Sequence, residues 1–221
     1  MFSAIAPRYD LLNRLLSFGI DQIWRREAVR VALESKPKKI LDVATGTADL
    51  AIALKEAAPE AEVTGVDFVG AMLELGRQKI SKRHLNISLL QADGQNLPFE
   101  DNSFDLVTIA YGIRNFSDRA KGLREFYRVL KPGGRLLVLE FPPPPEDLFG
   151  KLFRFYFLNF CPLVAGAICR RRDAYAYLGA SVLEFPPPET FAAMIQAAGF
   201  DKIRYKVQTL GVSALHLGEK L

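Results

Sequence analysis

The sequence predicts an α/β protein built on an open, mostly parallel sheet of seven strands, with helices on both faces and an antiparallel strand near the C-terminus. Two observations carry this. Short β-rich apolar runs alternate with helix-period segments from Lys39 to Phe141, the signature of parallel strands joined by crossover helices. Beyond a further helical pattern, two alternating runs, Ile203–Leu210 and Val212–Leu217, read as a closing antiparallel pair. At 221 residues the chain is expected to form one domain over 1–221, with an N-terminal helical cap over 1–36 and an insertion over 142–188.

The cap comes first. Leu11, Leu12, Leu15 and Leu16, then Ile20, Ile23 and Trp24, recur at amphipathic spacing. The strands read Lys39–Val43, Val63–Asp67, Ile87–Ala92, Phe104–Ala110 and Arg135–Phe141. Before the last of these, Leu123, Phe126, Tyr127 and Leu130 mark a helix, and Lys131-Pro132-Gly133-Gly134 supplies its breakers. Seven of the thirteen prolines lie in Pro142–Pro145 and Pro186–Pro188 and bracket the insertion, because neither run can continue a helix or a central strand. Inside it, Phe149, Leu152, Phe153, Tyr156, Phe157 and Phe160 form an aromatic stripe, accompanied by Lys151, Arg154 and Arg170–Arg172 with no acid between them. Such a helix covers a sheet edge, closes over an apolar substrate, or rests on an anionic membrane. A last helix follows from Phe191, Met194, Ile195 and Ala198, with Gly199 as its stop.

Composition narrows the function classes. With 49% hydrophobic and 24% charged residues the chain can bury a core, which excludes intrinsic disorder. The net charge of +4 permits an anionic partner without demanding one. Cys161 and Cys169 lack a nearby histidine, so they suit neither a zinc site nor a disulfide framework, and no metal is expected. Arg8 and Asp10 stand where a signal peptide needs its apolar core, and charges interrupt Leu148–Cys169, so a cytoplasmic protein without a spanning helix is expected.

Ligands of open parallel sheets bind beyond the carboxyl ends of the strands. After the first strand, Asp42-Val43-Ala44-Thr45-Gly46-Thr47-Ala48-Asp49 turns tightly and opens a helix with one glycine rather than three. A nicotinamide dinucleotide is thereby disfavoured. An amino-acid end needs less clearance: amides at the helix start take a carboxylate, while Asp42 or Asp49 answers an ammonium. Asp67 ends the second strand 21 residues after Gly46, where an acid takes ribose hydroxyls. Asp93, before Gly94, is placed to meet an adenine amino group.

These runs, with Asp101-Asn102-Ser103-Phe104-Asp105 and Val129-Leu130-Lys131-Pro132-Gly133-Gly134, resemble the class I S-adenosylmethionine-dependent methyltransferases, whose fold is Rossmann-like. Arg8-Tyr9-Asp10, Leu16-Ser17-Phe18-Gly19-Ile20, Tyr111-Gly112-Ile113-Arg114-Asn115, Leu137–Phe141 and Ala214-Leu215-His216 are more closely similar to the ubiquinone/menaquinone biosynthesis C-methyltransferases. The resemblance implies S-adenosylmethionine held by Asp42, Thr47, Asp49, Asp67, Asp93, Gly94 and Ala110. It implies methylation of a polyprenylated quinol ring carbon, demethylmenaquinol first and a benzoquinol of the ubiquinone pathway second. A lipid-soluble substrate implies transient contact with the inner face of the membrane, and the resemblance leaves room for a homo-oligomer. Ala48 stands where the family has glycine, Gly179-Ala180 where it has Pro-Glu, and Leu217 where it has arginine after His216.

A quinol carbon is a poor nucleophile until its hydroxyl ionises, so promoting that ionisation is the catalytic task. Arg114, past the fourth strand tip, is expected to face the methyl donor as a fixed cation, with Asn115 orienting the same oxygen. It is expected to serve chemistry rather than the fold. Tyr9, Asp10 and His216 are the remaining catalytic candidates, although His216 alone reads more readily as a satisfied structural histidine. Another small-molecule methyltransferase would not need the aromatic insertion. A nucleic-acid methyltransferase would interleave its aromatics with basic residues, and none do so; no nucleic-acid partner is expected.

Overall fold

A computed structural model describes residues 14–161, 163 and 179–221. Its strands are β1 (Lys39–Val43), β2 (Glu62–Asp67), β3 (Ile87–Gln91), β4 (Phe104–Ala110), β5 (Leu130–Glu140), β6 (Asp201–Gln208) and β7 (Ser213–Glu219). They form one sheet in the order β3-β2-β1-β4-β5-β7-β6. Pairs among β1 to β5 are parallel, and β7 runs antiparallel between β5 and β6. The chain order reverses beside β1, opening a crevice at the carboxyl ends of β1 and β4.

Two apolar layers enclose the sheet. On one face Ile40, Val63, Leu106, Leu137, Leu139 and Leu215 meet α1 (Asp21–Ala32) and α2 (Asp49–Ala57), with Ile80 of α3 (Gly70–Lys82) alongside. On the other, Leu41, Val43, Val107, Ile109, Leu136 and Val138 meet α4 (Arg119–Val129) and α6 (Pro188–Ala197). Alternation along each strand assigns these faces. It also places Asp42 and Thr108 on the α1 face, and Glu140 and His216 on the α4 face. Asp118 starts α4 by accepting from Lys121 N at 2.8 Å, and Pro188 at the first turn of α6 has no N–H to leave unpaired.

The Lys131–Gly134 breakers end α4 as expected, but β5 begins at Leu130 rather than Arg135. The extra residues fit because the register shifts between Phe104 and Leu106, Gly133 adopts φ +78°, and Gly133 and Lys220 exchange backbone hydrogen bonds through Gly134. Lys220 Nζ then holds the carbonyls of Tyr127 and Leu130 at 2.8 and 2.7 Å.

After the first proline run, α5 (Leu148–Phe155) continues into a π-helical turn, Tyr156–Phe160. Asp147 caps it by accepting from Gly150 N at 2.7 Å. A Cβ on Gly150 would lie 1.8 Å from the Pro145 carbonyl, so only glycine lets the helix start against the proline run. The aromatic stripe divides: Phe149, Phe153, Tyr156 and Phe157 turn inward, while Leu148, Leu152 and Phe155 are exposed at 75, 61 and 68%. Cys161 is buried and free, whereas Cys169 and Arg170–Arg172 lie outside the described residues.

Candidate active site

A pocket opens at the carboxyl ends of β1 and β4, lined by Asp42, Thr45, Gly46, Asp49, Ala110 and Tyr111 with Arg25 of α1 above them. Parallel register sets Asp42 directly beside Thr108. The Asp42 carboxylate accepts from Thr108 Oγ1 at 2.7 Å and Thr45 Oγ1 at 2.6 Å, yet has no ion pair of its own. Thr45 reaches it because Gly65 on the next strand has no side chain: a Cβ there would stand 2.9 Å from Thr45 Oγ1. The loop is strained, with φ +51° at Ala44 and +66° at Ala48. An alanine held in the left-handed region costs about 1–2 kcal/mol, and such strain concentrates where the surroundings hold a functional geometry.

Burial pushes the Asp42 carboxyl up to about 6, against the pull of the two threonine hydroxyls and Arg25. The folded value thus lies above the ordinary 3.8 of the unfolded chain, so the folded state binds this proton more tightly. Asp42 therefore favours folding more as the pH falls from about 6 toward about 4. Between pH 7 and pH 4.5 the parent is expected to gain about 2 kcal/mol relative to Asp42→Asn. Urea unfolding of both proteins at the two pH values checks this, and parallel pH dependences would refute it.

Asp67 ends β2 with both carboxylate oxygens engaged: Oδ2 accepts from Gly46 N and Oδ1 from Val69 N, each at 2.8 Å. It ties the first loop to the second while each oxygen keeps a second lone pair. Burial raises its carboxyl above the usual range. Asp93 is half-buried in the turn after β3 and accepts from Gln95 N at 2.9 Å. Between these acids Phe68 stands 72% exposed, an open ring that the sequence reading missed and whose only sequence signal is its place after Asp67. Gly94 has a packing reason, since a Cβ would meet Phe116 at 2.5 Å and Val43 at 2.8 Å.

Asp49 and Thr47 differ from expectation. Lys79 Nζ reaches Asp49 Oδ1 at 2.6 Å and Thr47 Oγ1 at 2.8 Å, and Arg25 lies 3.6 Å from Asp49. Asp49 is thus already neutralised by two cations, which leaves Asp42 as the acid able to answer an ammonium.

Arg114 lies apart from the other candidates. It does not line the pocket. Its side chain is 4% exposed and pairs with Glu140, 1% exposed, at 2.7 Å; Nη1 also donates to the Tyr111 carbonyl. The 3-10 turn Ile113–Asn115 carries the chain to the α4 face, where Glu140 projects from β5. Glu140 was not foreseen, since nothing local links residues 26 apart. The buried pair gives Arg114 a structural contact in addition to any role in the chemistry.

His216 is a buried structural histidine, the alternative that the sequence favoured. It sits in the middle of β7 on the α4 face, with Nε2 donating to the Pro188 carbonyl at 2.9 Å and its ring against Phe191 and Tyr205. Burial lowers its pKa, which favours the neutral ring, and it is not among the residues that line the pocket. Asn115 closes its turn onto Gly112, with Oδ1 buried and unpartnered. Tyr9 and Asp10 lie outside the described residues.

Aromatic rings continue the pocket toward α5. Tyr111 stacks on Phe141 at 4.4 Å, Phe157 follows at 6.4 Å, and Phe153 stacks on Phe157 at 5.6 Å. Trp24 meets Phe141 edge-on at 5.9 Å. The acidic, hydroxyl-lined pocket therefore abuts an aromatic cluster through Tyr111.

Comparison with known proteins identifies the family. A family model described as the ubiE/COQ5 methyltransferase family matches residues 1–220. A demethylmenaquinone methyltransferase of Thermus thermophilus is 57% identical over all of both chains, and one of Deinococcus radiodurans is 51% identical over all of this chain and 91% of its own. A ubiquinone/menaquinone biosynthesis C-methyltransferase, UbiE, of Geotalea daltonii is 47% identical over all of this chain and 94% of its own. Among solved structures, a SAM-dependent methyltransferase of Thermotoga maritima superposes with a TM-score of 0.72 at 19% identity, covering 100% of this chain and 98% of its own. That likeness is one of fold.

Proposed function

Because the chain belongs to the ubiE/COQ5 methyltransferase family, we propose that it transfers the methyl group of S-adenosylmethionine to a ring carbon of demethylmenaquinol, giving menaquinol. The observation that carries this reading is the union, at one sheet edge, of a buried unpaired carboxylate, Asp42, with the aromatic wall from Tyr111 to Phe153. One half suits a zwitterionic, cationic donor and the other an apolar ring. The two relatives above 50% identity bear the demethylmenaquinone name, which favours a naphthoquinol over a benzoquinol.

In this reading Asp42 holds the donor's ammonium, and Asp67 offers its remaining lone pairs to the ribose. Phe68 gives the adenine a flat face, Asp93 meets its amino group, and Ala110 keeps the wall low beside the reacting centre. When bound, S-adenosylmethionine supplies an electrophilic methyl group. The chain itself aligns the two reactants, which is worth up to about 7–11 kcal/mol of barrier, and its aromatic rings exclude water from the acceptor. Arg114 acts by holding the Tyr111 carbonyl, as a positioning residue.

The outer face of α5 suits a substrate dissolved in lipid. Leu148, Leu152 and Phe155 are exposed beside Lys151 and Arg154, and Phe18, 77% exposed, stands near Tyr156. A helix apolar on both faces needs a second apolar neighbour, and a bilayer surface with anionic headgroups supplies it. No helix among the described residues is long and apolar enough to cross a membrane, so the contact is peripheral.

One experiment tests both statements. Methyl-labelled donor, incubated with the protein and reduced vesicles carrying demethylmenaquinol, is expected to place label in the lipid extract. The yield should be higher with anionic than zwitterionic vesicles and should fall as salt is added. Label confined to the aqueous phase would sink the quinol reading, and a yield indifferent to headgroup and salt would sink the membrane contact.

A further inference from the structure

Beside Tyr111 the structure gathers buried polar atoms that lack hydrogen bonds. Eight such side-chain atoms occur among the described residues; two of them, Tyr111 Oη and Arg25 Nε, belong to residues that line the pocket, and two more, Ser213 Oγ and Gln208 Oε1, to the β6–β7 hairpin behind Tyr111. Ser213 begins β7 opposite Gln208, the last residue of β6, and both lie at the same sheet edge as the tip of β4. The hydroxyls of Tyr111 and Ser213 are close enough to act on each other, yet neither forms a well-directed hydrogen bond. Folded proteins pair nearly all buried polar groups, so a cluster of exceptions at a pocket calls for a ligand that completes it.

The backbone here is also held under strain. Tyr111 adopts φ +57°, with its carbonyl clamped by Arg114, and the hairpin tip carries Thr209 at +48° and Leu210 at +54°. Trp24 Nε1 fixes that tip by donating to Thr209 Oγ1 at 2.8 Å. A β-branched residue in the left-handed region is costly, and such strain persists where the surroundings preserve a working geometry.

We propose that Tyr111 and Ser213, backed by the Arg25 guanidinium, form the subsite that binds one ring oxygen of the acceptor. The inference rests on the quinol reading above and assigns the recognition of its hydroxyl. Tyr111 Oη donates a hydrogen bond to the oxygen, Ser213 Oγ accepts a hydrogen bond from the neutral hydroxyl and donates one once the oxygen carries charge, and Phe141 and Trp24 hold the ring's apolar edge. The Glu140–Arg114 pair serves this subsite from the opposite face by fixing the Tyr111 backbone.

Tyr111→Phe and Ser213→Ala test it, since each removes one of the two buried hydroxyls and leaves the rest of the pocket lining in place. Melting temperature is expected to hold or rise, and calorimetric affinity for S-adenosylmethionine to stay unchanged. With a short-prenyl demethylmenaquinol kept reduced, kcat/KM is expected to fall at least about tenfold in each variant. Blocking one substrate hydroxyl as its methyl ether should penalise the parent by a similar factor and the variants far less. If kcat/KM stays within about twofold of the parent, or if melting temperature falls along with donor affinity, the subsite is overturned. A parent that binds the donor yet never methylates the quinol overturns the functional reading itself, and with it the ligand assigned here.

Discussion

Arg114→Ala is expected to destabilise the protein by about 3–5 kcal/mol, because it leaves the Glu140 carboxylate buried without its cation. Of the partners left to Glu140, the Phe141 amide at 2.9 Å is sound and the Arg114 amide at 3.4 Å is long. A loss of that size is a large fraction of the about 5–15 kcal/mol that holds most domains folded. Replacing both members with apolar residues, Arg114→Met with Glu140→Leu, is expected to recover most of the stability, since the desolvation penalty disappears along with the attraction. Activity is not expected to return, because nothing then holds the Tyr111 carbonyl. Urea unfolding and turnover of the single and double variants separate the two roles. A double variant with parental turnover would make the pair purely structural, and a stable Arg114→Ala would show that Glu140 is not stranded.

Asp67→Ala is expected to weaken S-adenosylmethionine binding by about 100- to 1,000-fold, from losses of about 1.5–3 kcal/mol per charged hydrogen bond spread over several bonds. The effect exceeds that of a ligand contact alone because the same carboxylate joins Gly46 N and Val69 N and so positions both loops of the donor site. Asp67→Asn should be milder, since one amide oxygen can still accept a backbone N–H. Calorimetric titration checks both, and an Asp67→Ala variant with parental affinity would place the ribose elsewhere.

The strands and the acids at their tips were legible because both are written in local sequence. Alternation and β-rich runs placed β1 and β4 at their observed bounds and β2 and β3 to within one residue. Residues within two positions of a strand's end lie at the sheet edge wherever the strand goes, so Asp42, Asp67 and Asp93 were bound to share that edge once the strands were parallel. The aromatic spacing within the insertion was equally plain. Its division into an inward wall and an outward face was not, because a stripe that wide does not declare which side meets protein.

What the tertiary structure decided is the face and partner of each polar side chain near the edge. Arg114 follows a strand tip, which made it look like a pocket residue, but the left-handed Tyr111 and the 3-10 turn carry it to the opposite face and onto Glu140. Asp49 opens a helix beside the pocket, yet Lys79, 30 positions on, occupies it. Tyr111 meets Ser213 only because β7 inserts beside β5. Periodicity fixes which residues share an element, since it depends on neighbours a few positions apart. Pairing between buried charges and hydroxyls depends on which distant elements pack together, and their desolvation makes that packing decide whether an identical side chain binds a ligand or holds the fold.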